Sequence, residues 1–243
     1  MLRTVRQPAQ IIPSLIFPMM LLAINASGLQ RITSIPGFPT DSFLTFALAI
    51  PFMQGALFSV MNAGTDLARD VETGFLNRLA LTPLRGSALL TGLLGGTLVL
   101  GLVQAACFLL VGVAAGAHVA AGFAGVLVLF ALSMLITLGF GSIGLVVALR
   151  TGSGEAVQGM FPIFFVFLFL SSMNIPRNLI DTDWFREVAT YNPVSYLIEG
   201  IRSLFVTGWD AEALALGFGI AAVIAVLGLI AASASLKTRL VRT

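Results

Sequence analysis

Ionisable side chains cluster along this chain, and long stretches between the clusters carry none. Residues 7–30, 42–65, 86–149, 156–176 and 213–236 contain no Asp, Glu, Lys or Arg. A helix needs about 20 mostly apolar residues to cross a hydrocarbon core. Four of the stretches hold one such helix each. The stretch 86–149 holds two, turning at Gly116, Ala117 and His118, its least apolar point. The pattern predicts an all-α polytopic membrane protein, a single domain over 1–243. Its six spans run about 10–29, 42–63, 88–115, 121–149, 157–175 and 212–235.

Six spans put both ends on one side. That side collects Arg3, Arg6, Arg69, Arg78, Arg85, Arg150, Lys237, Arg239 and Arg242. The other side keeps Arg31, Arg177, Arg186 and Arg202, with the acids Asp41, Asp181, Asp183, Glu187, Glu199, Asp210 and Glu212. Basic residues collect in cytoplasmic loops, so both termini are predicted to be cytoplasmic. Arg3 and Arg6 ahead of an apolar run imitate a signal peptide. Pro13 and Pro18 inside the run, and the lack of a small-x-small site after a short apolar core, argue against cleavage.

Two segments are patterned without being spans. In the cytoplasmic loop 64–87, Asp66, Arg69, Asp70 and Glu72 alternate in sign. Thr73 is placed to cap a short helix with Phe75, Leu76 and Leu79 on one face and Asn77 and Arg78 on the other. Pro83 would end it, since the residue before proline leaves the helical region. Such a helix is either a connector on the membrane surface or a lever that docks into another protein. In the external segment 176–210, Asn192 and Pro193 form a helix start. Val194, Leu197, Ile198, Ile201 and Leu204 recur at helical spacing, Ser195, Glu199 and Arg202 share the opposite face, and Gly208 is a stop. Glu199 and Arg202 are three apart and can pair. With two charges this helix is too short and polar to span, so it is expected to re-enter the outer leaflet or to lie against the other helices. Asp181 and Asp183 suit the start of a shorter helix through Trp184, Phe185 and Val188. Trp184, Tyr191, Tyr196 and Trp209, all the tryptophans and tyrosines of the chain, fall in this region, as an interfacial aromatic belt would place them.

Composition sharpens the picture. Hydrophobic residues make up 58% of the chain and charged residues 10%, against about 25% charged in soluble domains. Mean hydropathy is +1.00. The net charge of +2 is too small to point to nucleic acid. Chemistry is equally bounded. The only lysine, Lys237, lies near the C-terminus, so a phosphate-binding GxxxxGK[ST] loop is excluded and ATP hydrolysis must come from another chain. One histidine, His118, and one cysteine, Cys107, allow no two-histidine metal site and no intrachain disulfide. No ionisable residue falls firmly inside a span, which argues against proton-coupled transport.

The fifth span, MFPIFFVFLFLSSMNIP, is unusually aromatic. Phe161, Phe164, Phe165, Phe167 and Phe169 fit packed core or lipid contact. The second reading, for the segment rather than for most of its rings, is a wall along an amphipathic substrate's path, with Ser171, Ser172 and Asn174 adding polar contacts at its outer end. Gly92–Gly96, Gly112–Gly116 and the pair Gly139 and Gly141 are candidate points of close helix approach.

Three passages together resemble one family. The loop reads ETGFLNRLALTP, span five runs through FP and phenylalanines to SSMNIP, and the external segment reads YNPVSYLIEGIRSLFVTG. The chain resembles the permease subunit of type-2 ATP-binding-cassette (ABC) exporters, most closely the bacterial daunorubicin-resistance-like drug-efflux branch. The resemblance covers nearly the whole chain. It implies a permease in the bacterial cytoplasmic membrane that is not itself an enzyme and binds no cofactor. A second permease chain and two separate ATPase subunits, which hold ATP and Mg, would complete the transporter, with lipid around it and no nucleic acid. Carried onto this sequence, the coupling helix spans Glu72 through Thr82, with Glu72, Gly74, Arg78 and Pro83 matching the pattern. Residues Arg3 to Gln10 would lie along the inner leaflet. Only about nine residues precede span one, so that interfacial helix is expected to be short. The helix Asn192 to Gly208, with Pro193, Glu199 and Arg202, would sit near the outer exit. The expected activity is ATP-driven export of amphipathic drugs or lipids. Export of a lipid-linked saccharide or polymer, or a non-transporting scaffold that recruits a cytosolic partner, are the alternatives.

Overall fold

The computed structural model describes residues 8–80 and 86–241, and among these every regular element is helical. Helix α1 runs Pro8–Gly28, followed by a 3₁₀ turn at Gln30–Ser34. The second charge-free stretch forms two helices, α2 (Phe43–Ala47) and α3 (Ala49–Glu72). A short α4 follows (Phe75–Ala80), then the long α5 (Gly86–Ala114) and α6 (Gly122–Thr151). The region of the fifth span is also split, into α7 (Gly154–Gln158) and α8 (Met160–Phe169). A 3₁₀ turn at Arg177–Leu179, α9 (Asp183–Tyr191), α10 (Pro193–Val206) and α11 (Ala211–Val241) complete the chain.

Both splits have one cause. A proline lacks the N–H that its fourth predecessor's carbonyl needs, and its ring crowds that carbonyl. Pro51 stands four residues after Ala47, where α2 ends, and Pro162 four after Gln158, where α7 ends. Among the described residues, four helical segments are long and apolar enough to cross a membrane: Phe43–Glu72, Ala88–Ala114, Gly122–Thr151 and Ala211–Arg239. Ile12–Gly28 and Gly154–Phe169 are shorter apolar helices. The helix of the second span outruns its predicted end at residue 63, continuing through Asp66, Arg69 and Asp70 to Glu72.

The bundle is built around α3, which is almost wholly buried and packs most extensively on α6; α6 in turn packs on α11. The larger apolar core joins α2, α3, α6 and α10 through Phe43, Phe46, Met53, Leu132, Leu197 and Ile201. A second core at the opposite end of α3 joins Leu67, Leu90, Leu145, Val157 and Leu236. Close approach depends on small residues. A Cβ on Gly144 would lie 2.1 Å from the Val60 carbonyl oxygen, and one on Gly64 2.8 Å from the Gly144 oxygen. Gly139 serves α11 in the same way, at Ala225, and Gly112 faces Leu48. Gly92 and Gly116 have open space where a Cβ would stand, so of the Gly112–Gly116 pair only Gly112 makes a close contact. Phe123, Leu110, Leu127, Leu227 and Ile230 point outward, a surface suited to lipid.

Candidate functional site

Three neighbourhoods gather the residues singled out by the sequence. The first is the corner after α3. Thr73 caps the end of α3 rather than the start of α4: its backbone N–H and its hydroxyl both donate to the Arg69 carbonyl. The reason is that α3 continues to Glu72 and leaves its last carbonyls there to be satisfied. Gly74 then turns the chain at φ +69°, a conformation that favours glycine. In α4, Leu76 is 2% exposed and anchors the helix in the second core. Phe75 is 47% exposed, and Glu72 and Arg78 are exposed beside it. Pro83 and the Leu79 side chain lie outside the described residues.

The second neighbourhood is aromatic. Phe161 and Phe165, one turn apart on α8, have ring centroids 4.6 Å apart. Phe58 of α3 lies 5.6 Å from Phe161, and Phe17 of α1 lies 5.9 Å from Phe165 and 6.3 Å from Phe58. The four rings close on one another, and Phe169 extends the row beyond Phe165. Phe164 faces the other way, onto Phe140, and Phe167 points outward. Ser171 is buried and donates to the Leu168 carbonyl. Asn174 keeps a buried Oδ1 without a hydrogen-bond partner. Phe17 and Phe58 are additions that the sequence pattern did not single out. Gln54 and Asn62 stand one turn to either side of Phe58 on α3. Both amide atoms of Gln54, and Nδ2 of Asn62, are buried without a hydrogen-bond partner.

The third neighbourhood is the segment 170–210. Asn192 joins two helix ends. Its Oδ1 accepts from the Val194 N–H at the start of α10, and its Nδ2 donates to the Phe167 and Leu170 carbonyls at the end of α8. Pro193 occupies the first turn of α10, where a missing N–H costs nothing. At the other end Gly208, at φ +87°, follows the cap and its N–H reaches the Ser203 carbonyl. The chain after α8 is unwound, and α10 supplies its partners. Ser172 N–H donates to Ser195 Oγ.

Arg202, 6% exposed, donates to the carbonyls of Ser172 at 2.9 Å and Met173 at 2.7 Å, and to Phe46 at the α2 break at 3.1 Å. Its guanidinium carbon lies 3.6 Å from the Phe46 ring centroid. Burial lowers its pKa to about 9, against the raising effect of Glu199, and it stays a cation at neutral pH. Glu199 pairs with Arg177, not with Arg202. Arg177 Nε and Nη2 reach its two oxygens at 2.9 and 2.7 Å. The expected helical pair does not form because Arg202 turns inward, where two helix breaks leave backbone acceptors without partners. Arg177 also lies over the Tyr196 ring, 4.3 Å from its centroid. Burial opposes the Arg177 charge, but Glu199 and Tyr196 outweigh it and hold the guanidinium above its ordinary range.

Among the described residues of these neighbourhoods no nucleophile is paired with a base, and among the described residues of the chain no group of three or more His, Cys, Asp or Glu is able to hold a metal. What the geometry offers is a surface corner, an aromatic row between helices and a capped, unwound segment. No curated protein matches the chain closely enough to name a relative. The model of the ABC-2 type transporter family matches residues 1–206. That match takes in α1, the α4 corner, the aromatic row and all of α10. On that match the chain is a multi-pass membrane protein and a transporter permease component without its own nucleotide-binding site: it belongs to the ABC-2 type transporter family.

Proposed function

We propose that the chain is one half of the membrane part of an ATP-driven exporter of amphipathic drugs or lipids. Two such permeases, each crossing the bacterial cytoplasmic membrane six times with cytoplasmic ends, pair above two separate ABC ATPase subunits. The observation that carries this reading is the α4 corner. Leu76 fixes the helix to the bundle while Glu72, Phe75 and Arg78 face outward. An exposed aromatic between opposite charges, on a helix anchored from behind, suits docking into a partner and passing its motion into α3. ATP binding closes the ATPases, and the difference in its affinity for the two states supplies the work. Cargo then passes between the paired permeases. The row of Phe17, Phe58, Phe161 and Phe165 offers area without fixed hydrogen bonds, and the unpaired amide nitrogen of Asn62, one turn from Phe58, accommodates a polar group.

The test is ATPase activity in lipid nanodiscs after co-purification with the candidate ABC ATPase. A panel of amphipathic drugs and lipids should stimulate the wild type. Truncating a central aromatic anchor at an interface costs about 2 kcal/mol or more. Phe75→Ala should therefore weaken ATPase retention more than tenfold, and Glu72→Ala should blunt stimulation. If the wild-type chain retains no ABC ATPase, or if both variants retain and stimulate it normally, the coupling role of α4 is wrong.

A further inference from the structure

A cavity of about 530 Å³ opens beside α10, between the Arg177–Leu179 turn, α9 and the start of α11. Three arginines line it: Arg202 at the buried side, and Arg177 and Arg186 nearer solvent. The acids that line it, Glu199 and Asp210, are engaged. Both oxygens of Glu199 take bonds from Arg177. Asp210 Oδ1 accepts the Ala213 N–H at the start of α11. Arg186 pairs with Asp183 and donates to the Ile180 carbonyl. Arg202 has only carbonyl oxygens and a ring. These satisfy hydrogen bonds but carry no net charge, Glu199 acts on the guanidinium only from a distance while bound to Arg177, and a buried cation without a directly bound counter-charge is costly. Three donor bonds also leave guanidinium N–H capacity over.

The geometry points to an anion site: we propose that this cavity binds a phosphate-type anion against Arg202 and Arg186. The volume exceeds what a free phosphate needs, and Pro39, Pro176 and Val206 give the rest of the wall an apolar character. A phosphomonoester carrying an apolar tail therefore fits the whole site, and inorganic phosphate only its charged end. A smaller neighbouring cavity of about 170 Å³ has the opposite character, with Glu199, Asp210 and Glu212 against Arg177 alone. A cationic amphiphile is accordingly the discriminating competitor. The proposal concerns ligand binding by this chain and stands whether or not it exports anything.

The chain's two tryptophans are near lining residues in sequence, Trp184 two residues before Arg186 and Trp209 directly before Asp210. The purified chain in detergent is followed by titration calorimetry, with intrinsic fluorescence as a second signal. It would be titrated separately with inorganic phosphate, with dihexanoyl phosphatidic acid and dihexanoyl phosphatidylcholine below their micellar concentrations, and with a quaternary ammonium amphiphile. Saturable binding of phosphatidic acid, at least tenfold tighter than phosphatidylcholine, is expected. Arg186→Gln, at a half-exposed rim position, should weaken it about tenfold or more, since a hydrogen bond to a charged group is lost. Arg202→Lys should weaken it further, and Arg186→Gln decides the matter if that variant folds poorly. Competition by phosphate at comparable concentration would identify a site for the free anion; phosphatidic acid binding without such competition would identify a lipid headgroup site. Binding of neither anion, equal binding of phosphatidylcholine, preference for the ammonium amphiphile, or indifference to Arg186→Gln would overturn the proposal.

Discussion

Arg202→Met should destabilise the folded chain by about 3–5 kcal/mol, because each buried acceptor left without its donor costs about 1–3 kcal/mol. Methionine keeps much of the apolar stem, so the loss isolates the guanidinium head. Three carbonyls, of Phe46, Ser172 and Met173, lose a donor in one step. Those carbonyls sit where the regular helix hydrogen bonds have ended, so no neighbouring N–H replaces the donor. Thermal unfolding of the purified protein in detergent measures the effect. Arg186→Gln is the comparison, since the Arg186–Asp183 pair is half-exposed or more and such pairs contribute about 1 kcal/mol or less. Equal midpoints for the two variants would mean that Arg202 is not what holds the break in α2 to the chain after α8.

The second large effect is expected at the crossing of α3 and α6. Gly144→Val should abolish most folded protein, because its first added carbon already stands 2.1 Å from the Val60 carbonyl oxygen. Backbone cannot swing aside as a side chain can. Overpacking typically costs about 1–3 kcal/mol, and a collision with backbone belongs at or beyond the top of that range. Gly92→Val, in open space on α5, should leave the yield of monodisperse protein unchanged. Comparable size-exclusion profiles for the two variants would show that α3 and α6 do not meet this closely.

The long helices were legible because charge avoidance is a one-dimensional signal: α5, α6 and α11 start and stop within a few residues of where the charge-free stretches place them, apart from the far end of α11. The starts of α9 and α10 were legible for a similar reason, since Asp183 and the Asn192–Pro193 pair act within one turn. The two internal breaks were also written in the chain, as Pro51 and Pro162, but only once a proline is counted against its fourth predecessor. The partners of Arg202 were not legible. Phe46 is 156 residues away along the chain, and its carbonyl becomes an acceptor only because the helix has already broken there. Glu199 shows the same limit from the other side. Spacing offered it Arg202, whereas tertiary packing brought Arg177 across from 22 residues upstream. The aromatic row was half visible: Phe161 and Phe165 share a face of α8 by spacing alone, but nothing local marks Phe17 and Phe58 as the rings that meet them.

The double role of Asn192 bears on the order in which the protein is made. Helix α8 has 10 residues, about 15 Å of rise, which is half of a hydrocarbon core about 30 Å thick. Its last carbonyls would meet lipid undressed, at a cost of several kcal/mol each. The amide that covers two of them, and the arginine that covers the chain just beyond, are synthesised later. Residues 154–169 therefore gain a settled place only after α10 has left the ribosome and folded back. A chain truncated after Tyr191 should leave Cys residues introduced into α8 open to water-soluble thiol reagents that the full-length chain excludes. Insertion of this region then resembles the closing of a clasp more than the stepwise threading of independent spans.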